Sequence, residues 1–472
     1  MSPKIKLSAI AALALAVNCI AAAQDTPETP YADSMLTLSA PAIQGYGGIE
    51  YAPLLQDWLT QQGWYGPLDE WNIKLSGYGE VGYTFNFINP PGGYNGPGFE
   101  FMDKAEDPNL DQIDLKIMRP INYSGDAFDM GFTVEGMYGA DARFTQANGS
   151  NFYGSGYADS RTLTFFADGA GNPTTFVQST GFPGQGSPNN QFDFLQANIT
   201  VNLPVGTGIM VMAGKEVTPF GYESINPLMN PLYTHSYIFA MALPKTLTGI
   251  TAAYAPDEYW SFMGGVVVGW DMAFQDINNA PSYMLQAGYK VPDEGWDVVF
   301  TTLFGPEQED NDGDWRWTLD ATAHYKWDNI TLGVEGVLGY EPNVGMKFTN
   351  VQVGAIDFAD LRQFTGEDAT WSGFALYGSF PIEQQDRFVI QTRLEYFNDW
   401  DGGRWFTSDV WSGTLGVNIR PFPDDRYGQN LIFRPELRWD WSNAEVFDGG
   451  GGLSGTGQNN QITLSADLIF AF

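Results

Sequence analysis

Cysteine, histidine and basic residues are scarce in this chain. One Cys, two His and 22 Lys+Arg stand against 56 Asp+Glu, for a formal charge of −34. Cys19 lies in an N-terminal stretch that reads as a secretory signal: Lys4 and Lys6, an apolar run from Ile10 to Val17, then Ala21-Ala22-Ala23 before Gln24. Loss of that stretch leaves no thiol, which excludes disulfides and cysteine zinc sites, and takes the charge to −36. So acidic a chain does not neutralise phosphates, which argues against nucleic acid as a partner. Yet 43% of its residues are hydrophobic and 15% aromatic, too many for a solvated disordered chain. After the signal no apolar run approaches the roughly 20 residues a membrane-spanning helix needs. What remains is an all-β chain, in water or in a membrane.

Alternation is what the sequence has in abundance. From Asn72, the residues Ile73, Leu75, Val81, Tyr83 and Phe85 fall on one face, and Lys74, Ser76, Glu80 and Thr84 on the other. Comparable segments are predicted at about 110–119, 128–139, 192–203, 207–215, 245–256, 259–270, 281–291, 295–304, 314–326, 328–340, 371–382, 386–398, 409–421, 430–441 and 460–472. Together they make about 16 strands. Most are long enough for a tilted strand to cross a bilayer. Short connections such as 204–208, 256–258 and 327–329 take turns with long ones at 89–109, 140–191, 216–244, 305–313, 341–370 and 442–459. A transmembrane antiparallel up-and-down β-barrel, with short periplasmic turns and long extracellular loops, has this pattern. Energetics favour closure, because each unpaired N–H or C=O of an open edge costs several kcal/mol in hydrocarbon. Tryptophans near segment ends (Trp260, Trp270, Trp296, Trp327, Trp400, Trp405, Trp411, Trp439 and Trp441) are expected in interfacial girdles. Residues 1–23 are expected to be the signal peptide, 24–70 a periplasmic lead or plug with a short amphipathic helix within Tyr51–Trp64, and 71–472 the barrel.

From about Phe192 to Phe472 the chain resembles the β-barrel porin-2 family, also called OmpL-like. The resemblance is carried by Gly214-Lys215-Glu216, Thr218-Pro219-Phe220-Gly221-Tyr222-Glu223, Asn230-Pro231, Tyr233-Thr234-His235-Ser236-Tyr237, Gly269-Trp270-Asp271, Arg434 to Trp441 and the terminal strand Asp467 to Phe472. It implies a porin in the outer membrane of a Gram-negative bacterium, surrounded by outer-membrane lipids. The terminal aromatic strand is similar to the signal read by barrel-assembly machinery. Analogy with general porins implies a homotrimer and an inward-folded third outer loop, so that Lys215, Glu216, Glu223 and His235 line a constriction. The opposite wall is expected to be basic, since Arg393, Arg420, Arg434 and Arg438 fall on the polar parity of late strands beside Glu395, Glu436 and Asp440. Charges at i and i+2 on one strand face lie about 7 Å apart, close enough for a mixed ladder that filters solutes. A charge on the lipid face would cost about 2–4 kcal/mol at mid-membrane.

Other motifs dissolve on inspection. Gly77-Tyr78-Gly79-Glu80-Val81-Gly82 matches a dinucleotide fingerprint but lies inside a strand. Glu307 to Asp314 reads as a solvated acidic outer loop, because an EF-hand register fails at Gln308 and Leu319. No local grouping supplies nucleophile, base and orienter, so neither an enzyme nor a cofactor is expected. The function expected is passive diffusion of small hydrophilic solutes or ions, with cations preferred. The alternative is a non-conducting barrel that binds glycans or surfaces.

Overall fold

The structure is a computed structural model. It describes residues 52–472 apart from 91–92, 97–98, 150–159, 167–172, 180–188, 292–293, 354–355, 383–386, 405 and 448–457; of 160–166, 173–179, 347–353 and 356–364 only the backbone is described. The signal peptide, residues 24–51 and Trp405 lie outside the described residues. The strands are β1 (Lys74–Asn86), β2 (Asn109–Arg119), β3 (Asp129–Gly139), β4 (Ser160–Phe166), β5 (Pro173–Ser179), β6 (Gln191–Leu203), β7 (Ile209–Val217), β8 (Thr246–Tyr254), β9 (Trp260–Val267), β10 (Ser282–Val291), β11 (Trp296–Gln308), β12 (Asn311–Trp327), β13 (Ile330–Glu341), β14 (Met346–Val353), β15 (Ile356–Phe364), β16 (Ala369–Pro381), β17 (Phe388–Asn398), β18 (Asp409–Ile419), β19 (Leu431–Ser442) and β20 (Asn460–Ala471).

Sixteen of them close into one barrel, in the order β1-β2-β3-β6-β7-β8-β9-β10-β11-β12-β13-β16-β17-β18-β19-β20. Closure is antiparallel between β1 and β20, from Tyr78↔Ala471 to Asn86↔Thr463. The barrel strands follow one another in chain order and the first pairs with the last, so no sheet edge is left in the lipid. The alternation becomes a wall with two faces. Val81, Tyr83, Phe85, Leu437, Trp439, Leu464, Leu468 and Phe470 point outward and are exposed, while Glu80, Thr84, Arg434, Glu436, Arg438, Ser465 and Asp467 point inward and are buried.

Three expectations are corrected. Residues 305–313 are not a long loop: β11 and β12 continue through most of them and meet in a tight turn, with Gln308 paired to Asn311. Glu307 is consequently buried, accepting the Trp270 N–H and the Ser282 hydroxyl (2.8 and 2.6 Å). Trp270 is not a girdle residue. It is buried, with the Arg316 and Arg404 guanidinium groups 4.9 and 4.5 Å from its ring. The outer loops at 140–190 and 342–368 also carry strands, and these pair as a separate sheet in the order β14-β15-β5-β4.

Among the described residues before β1 are two short helices, α1 (Leu54–Gln61) and α2 (Gly66–Glu70). They sit at the end of the barrel where β19 begins and β20 finishes. The Asn430 side chain bonds both N–H and C=O of Ala52 (2.9 and 2.8 Å), and Arg426 pairs with Asp57 at 2.9 Å. Leu54 is buried as the helical face requires, but Trp58 remains half exposed and packs edge-on against Trp64.

Candidate functional site

The segment between β7 and β8 enters the barrel. Apart from a three-residue turn at Pro227–Met229 and a π-helical turn at Ile238–Ala242 it has no regular structure, so its backbone N–H and C=O groups need partners from elsewhere. The wall supplies them as charged and amide side chains. Gln286 of β10 donates to the Pro219 carbonyl (3.1 Å). Asp320 of β12 accepts the Gly221 N–H (3.0 Å) and Glu335 of β13 the Tyr222 N–H (3.1 Å). Glu395 of β17 accepts the Tyr237 N–H (2.7 Å), and Glu436 of β19 those of Tyr233 and Thr234 (2.9 and 3.2 Å). Gln112 of β2 donates to the Ile225 carbonyl (3.1 Å). The loop thus covers the inner wall from β10 round to β2, reaching β2 at Ile225 and doubling back to β19 at Tyr233 and to β17 at Tyr237.

The arginines complete the attachment. Arg393 donates to Glu223 Oε1 (2.7 Å) and to the carbonyls of Thr234 and His235 (2.5 and 3.1 Å). Its Nε lies 3.3 Å from Glu395. Arg434 donates to the Pro227 and Asn230 carbonyls (2.9 Å each) and to Asp467, with Glu80 at 3.3 Å. Arg438 donates to the His235 carbonyl (2.7 Å) and Asp440 (2.8 Å), and its guanidinium lies over the Phe99 ring.

The expected geometry of loop against opposite basic wall is therefore corrected: the basic wall is the wall on which the loop lies. Glu223, His235, Arg393, Glu395, Arg434, Glu436 and Arg438 come together there, all buried. Burial pushes the His235 imidazole down to about 4, with Arg393 and Lys245 adding to the effect and Glu223 opposing it. Lys215 and Glu216 sit at the loop's root on β7. Gly214, at φ 137°, precedes a break in the alternation, and Lys215 and Glu216 are both buried. Lys215 pairs with Asp193 (3.3 Å), and Glu216 accepts from Thr251 (3.4 Å). Arg420 stands apart, beyond the end of β18 in the periplasmic turn, where its N–H meets the Arg387 carbonyl (2.9 Å).

Sequence reading did not nominate the acidic group on the β1–β3 side. Asp111, Asp114 and Asp141 are buried. Gln112 bridges from Tyr78 to Asp141 (2.8 and 2.8 Å), and the Tyr233 hydroxyl reaches Asp111 (3.2 Å). One oxygen of each of the three carboxylates meets no hydrogen-bond donor. Strand parity points Asp114 inward. Asp111 lies across the register shift at Glu80/Val81, where a two-residue period loses phase.

A closed sheet with an apolar exterior, a charged interior and an inward loop defines an integral outer-membrane channel protein. Residues 72–472 match the family described as "Putative beta-barrel porin-2, OmpL-like", and the chain belongs to that family. None of the curated proteins compared matches it. Similar solved structures include the anion-selective porin from Comamonas acidovorans (11% identity, 85% of this chain and 99% of that one, TM-score 0.48). Salmonella typhi OmpF in complex with daunomycin is another (10%, 86% and 99%, 0.47), as is the outer membrane channel DcaP of Acinetobacter baumannii (7%, 85% and 97%, 0.46). Likeness this low bears on neither selectivity nor substrate.

Proposed function

We propose that the channel passes small hydrophilic solutes and ions passively and prefers cations. The observation that carries this reading is an asymmetry of partners. Arg393, Arg434 and Arg438 are ion-paired to wall carboxylates and capped by loop carbonyls. Asp111, Asp114, Asp141 and Asp320 each keep a buried oxygen without a donor. Buried polar atoms need partners, and inside a barrel water is the available one. A cation meets unsatisfied carboxylate oxygens along such a wall, whereas an anion meets guanidinium groups whose charge is already balanced; even Arg393 Nε and Arg438 Nη2, which lack a hydrogen-bond partner, face Glu395 at 3.3 and 3.8 Å.

The reading is non-enzymatic. Asp297 holds His324 Nδ1 at 2.7 Å, but His324 Nε2 has no hydrogen-bond partner, so that pair activates no nucleophile among the described residues. Liposome swelling with uncharged sugars of increasing size tests the pore. Swelling that declines with solute size supports it. Liposomes that hold correctly folded barrel yet do not swell would favour the surface-binding alternative.

A further inference from the structure

The lipid-facing wall has a groove at its periplasmic edge, about 660 Å³ in volume and lined by Trp71, Arg119, Phe128, Asp129, Met130, Gly131, Phe132 and Ile199. That size lies within the range of small-ligand clefts, about 300–1,000 Å³. Trp71, Phe128, Met130 and Ile199 are all more than half exposed on the outer face. Arg119 closes the apolar row that runs outward through Ile113, Leu115 and Ile117 of β2. A guanidinium on that face is unfavourable at mid-membrane but tolerated near the interface.

Arg119 is held in place. Its Nη1 donates to Asp129 Oδ1 (2.9 Å) and to the Met130 carbonyl. Asp129 is itself committed, since its oxygens also accept the N–H groups of Asn122 (2.7 Å) and Met130 (2.8 Å). Arg119 Nε and Nη2 have no partner among the described residues, and the side chain is about one-third exposed. A fixed guanidinium with a free fork of donors, set above an apolar trough, complements a phosphate carrying acyl chains.

We propose that this groove binds one glycerophospholipid of the periplasmic leaflet, its phosphate on Arg119 and an acyl chain along Phe132 and Ile199. The site is continuous with the bilayer-facing wall and does not depend on conduction. Trp71, which follows α2, forms the headgroup-side lip, as an indole at the interface does.

Native mass spectrometry of the full barrel tests this, released from detergent after titration with a dioleoyl phosphatidylglycerol or phosphatidylethanolamine. The wild type is expected to retain one lipid. Arg119→Gln should lower its apparent affinity about tenfold or more, Arg119→Lys should restore part of it, and Ile199→Asp should weaken retention with Arg119 intact. Diacylglycerol, which lacks the phosphate, and inorganic phosphate, which lacks the chains, should not be retained. Heat-modifiable migration in gels confirms that each variant is folded. Equal retention by wild type and a folded Arg119→Gln overturns the proposal, as does equal retention of diacylglycerol.

Discussion

Arg393 and Glu223 lie 170 residues apart in the chain and meet at 2.7 Å inside the barrel, wall strand to lumen loop. Both are buried, and the same arginine caps two loop carbonyls. Removing one member of a buried pair leaves the other uncompensated, at about 3–5 kcal/mol. Arg393→Ala is therefore expected to destabilise the barrel by a few kcal/mol in urea titrations, less if lumen water solvates Glu223. Glu223→Ala should free the loop and raise single-channel conductance and open-channel noise. In a double-mutant cycle the two effects should not add.

Gly333 and Gly339 make room for rings that lie flat on the wall. A Cβ at Gly333 would sit 2.2 Å from Tyr222, the residue whose N–H is held by Glu335, and one at Gly339 would sit 1.9 Å from Trp371. Overpacking of this kind costs about 1–3 kcal/mol. Gly333→Ala is expected to lift Tyr222 and change conductance. Gly79→Ala, where a Cβ meets nothing within 4 Å, should change neither conductance nor stability.

His235 stacks on Phe239 at 4.2 Å and has Nε2 3.0 Å from the Ser224 carbonyl. Its pKa lies below the ordinary 6.5, at about 4, because burial disfavours the imidazolium. The unfolded or undocked loop therefore takes up the proton first. Docking is at full strength above pH 6.5 and weakens as pH falls toward 4. Channel recordings between pH 7 and 4 should show growing loop noise in the wild type and a flatter profile in His235→Gln.

The strand count and the two-faced wall were legible because each leaves a periodic trace, whereas the inward loop was implied only by analogy with general porins. Ile462, Leu464 and Leu468 alternate with Thr463, Ser465 and Asp467 whatever their partners. What sequence left hidden depends on contacts between distant segments. Parity put Arg393, Arg434 and Arg438 in the lumen, but not which side of the lumen the loop would choose. Asp111 was missed because a register shift interrupts β1–β2 pairing. Glu307 to Asp314 looked like a solvated loop; Glu309, Asp310 and Asp312 are exposed as expected, but β11 and β12 carry all except Glu309-Asp310 as strand and bury Glu307. The sheet of β4, β5, β14 and β15 joins two outer loops by pairings such as Arg362↔Val177, which no single segment announces.

At the seam of the barrel, Phe472 and Gly77 exchange backbone hydrogen bonds (2.8 and 3.0 Å), and the Phe472 ring covers the space a Cβ on Gly77 would take (2.6 Å). Phe472→Ala should keep the strand pairing but remove the ring. The expected result is less heat-modifiable barrel in outer-membrane fractions, with refolding in detergent largely preserved. Equal amounts in the membrane would show that the terminal aromatic plays no part in assembly.

The cation preference rests on lumen arginines that are ion-paired to carboxylates and on Asp111, Asp114, Asp141 and Asp320, each of which keeps a buried oxygen without a donor. Reversal potential in planar bilayers under a KCl gradient tests it most directly. The account predicts ohmic openings with potassium more permeant than chloride, and a smaller preference in Asp111→Asn with Asp114→Asn. A chloride preference in the wild type, or a folded barrel that never opens, would contradict it.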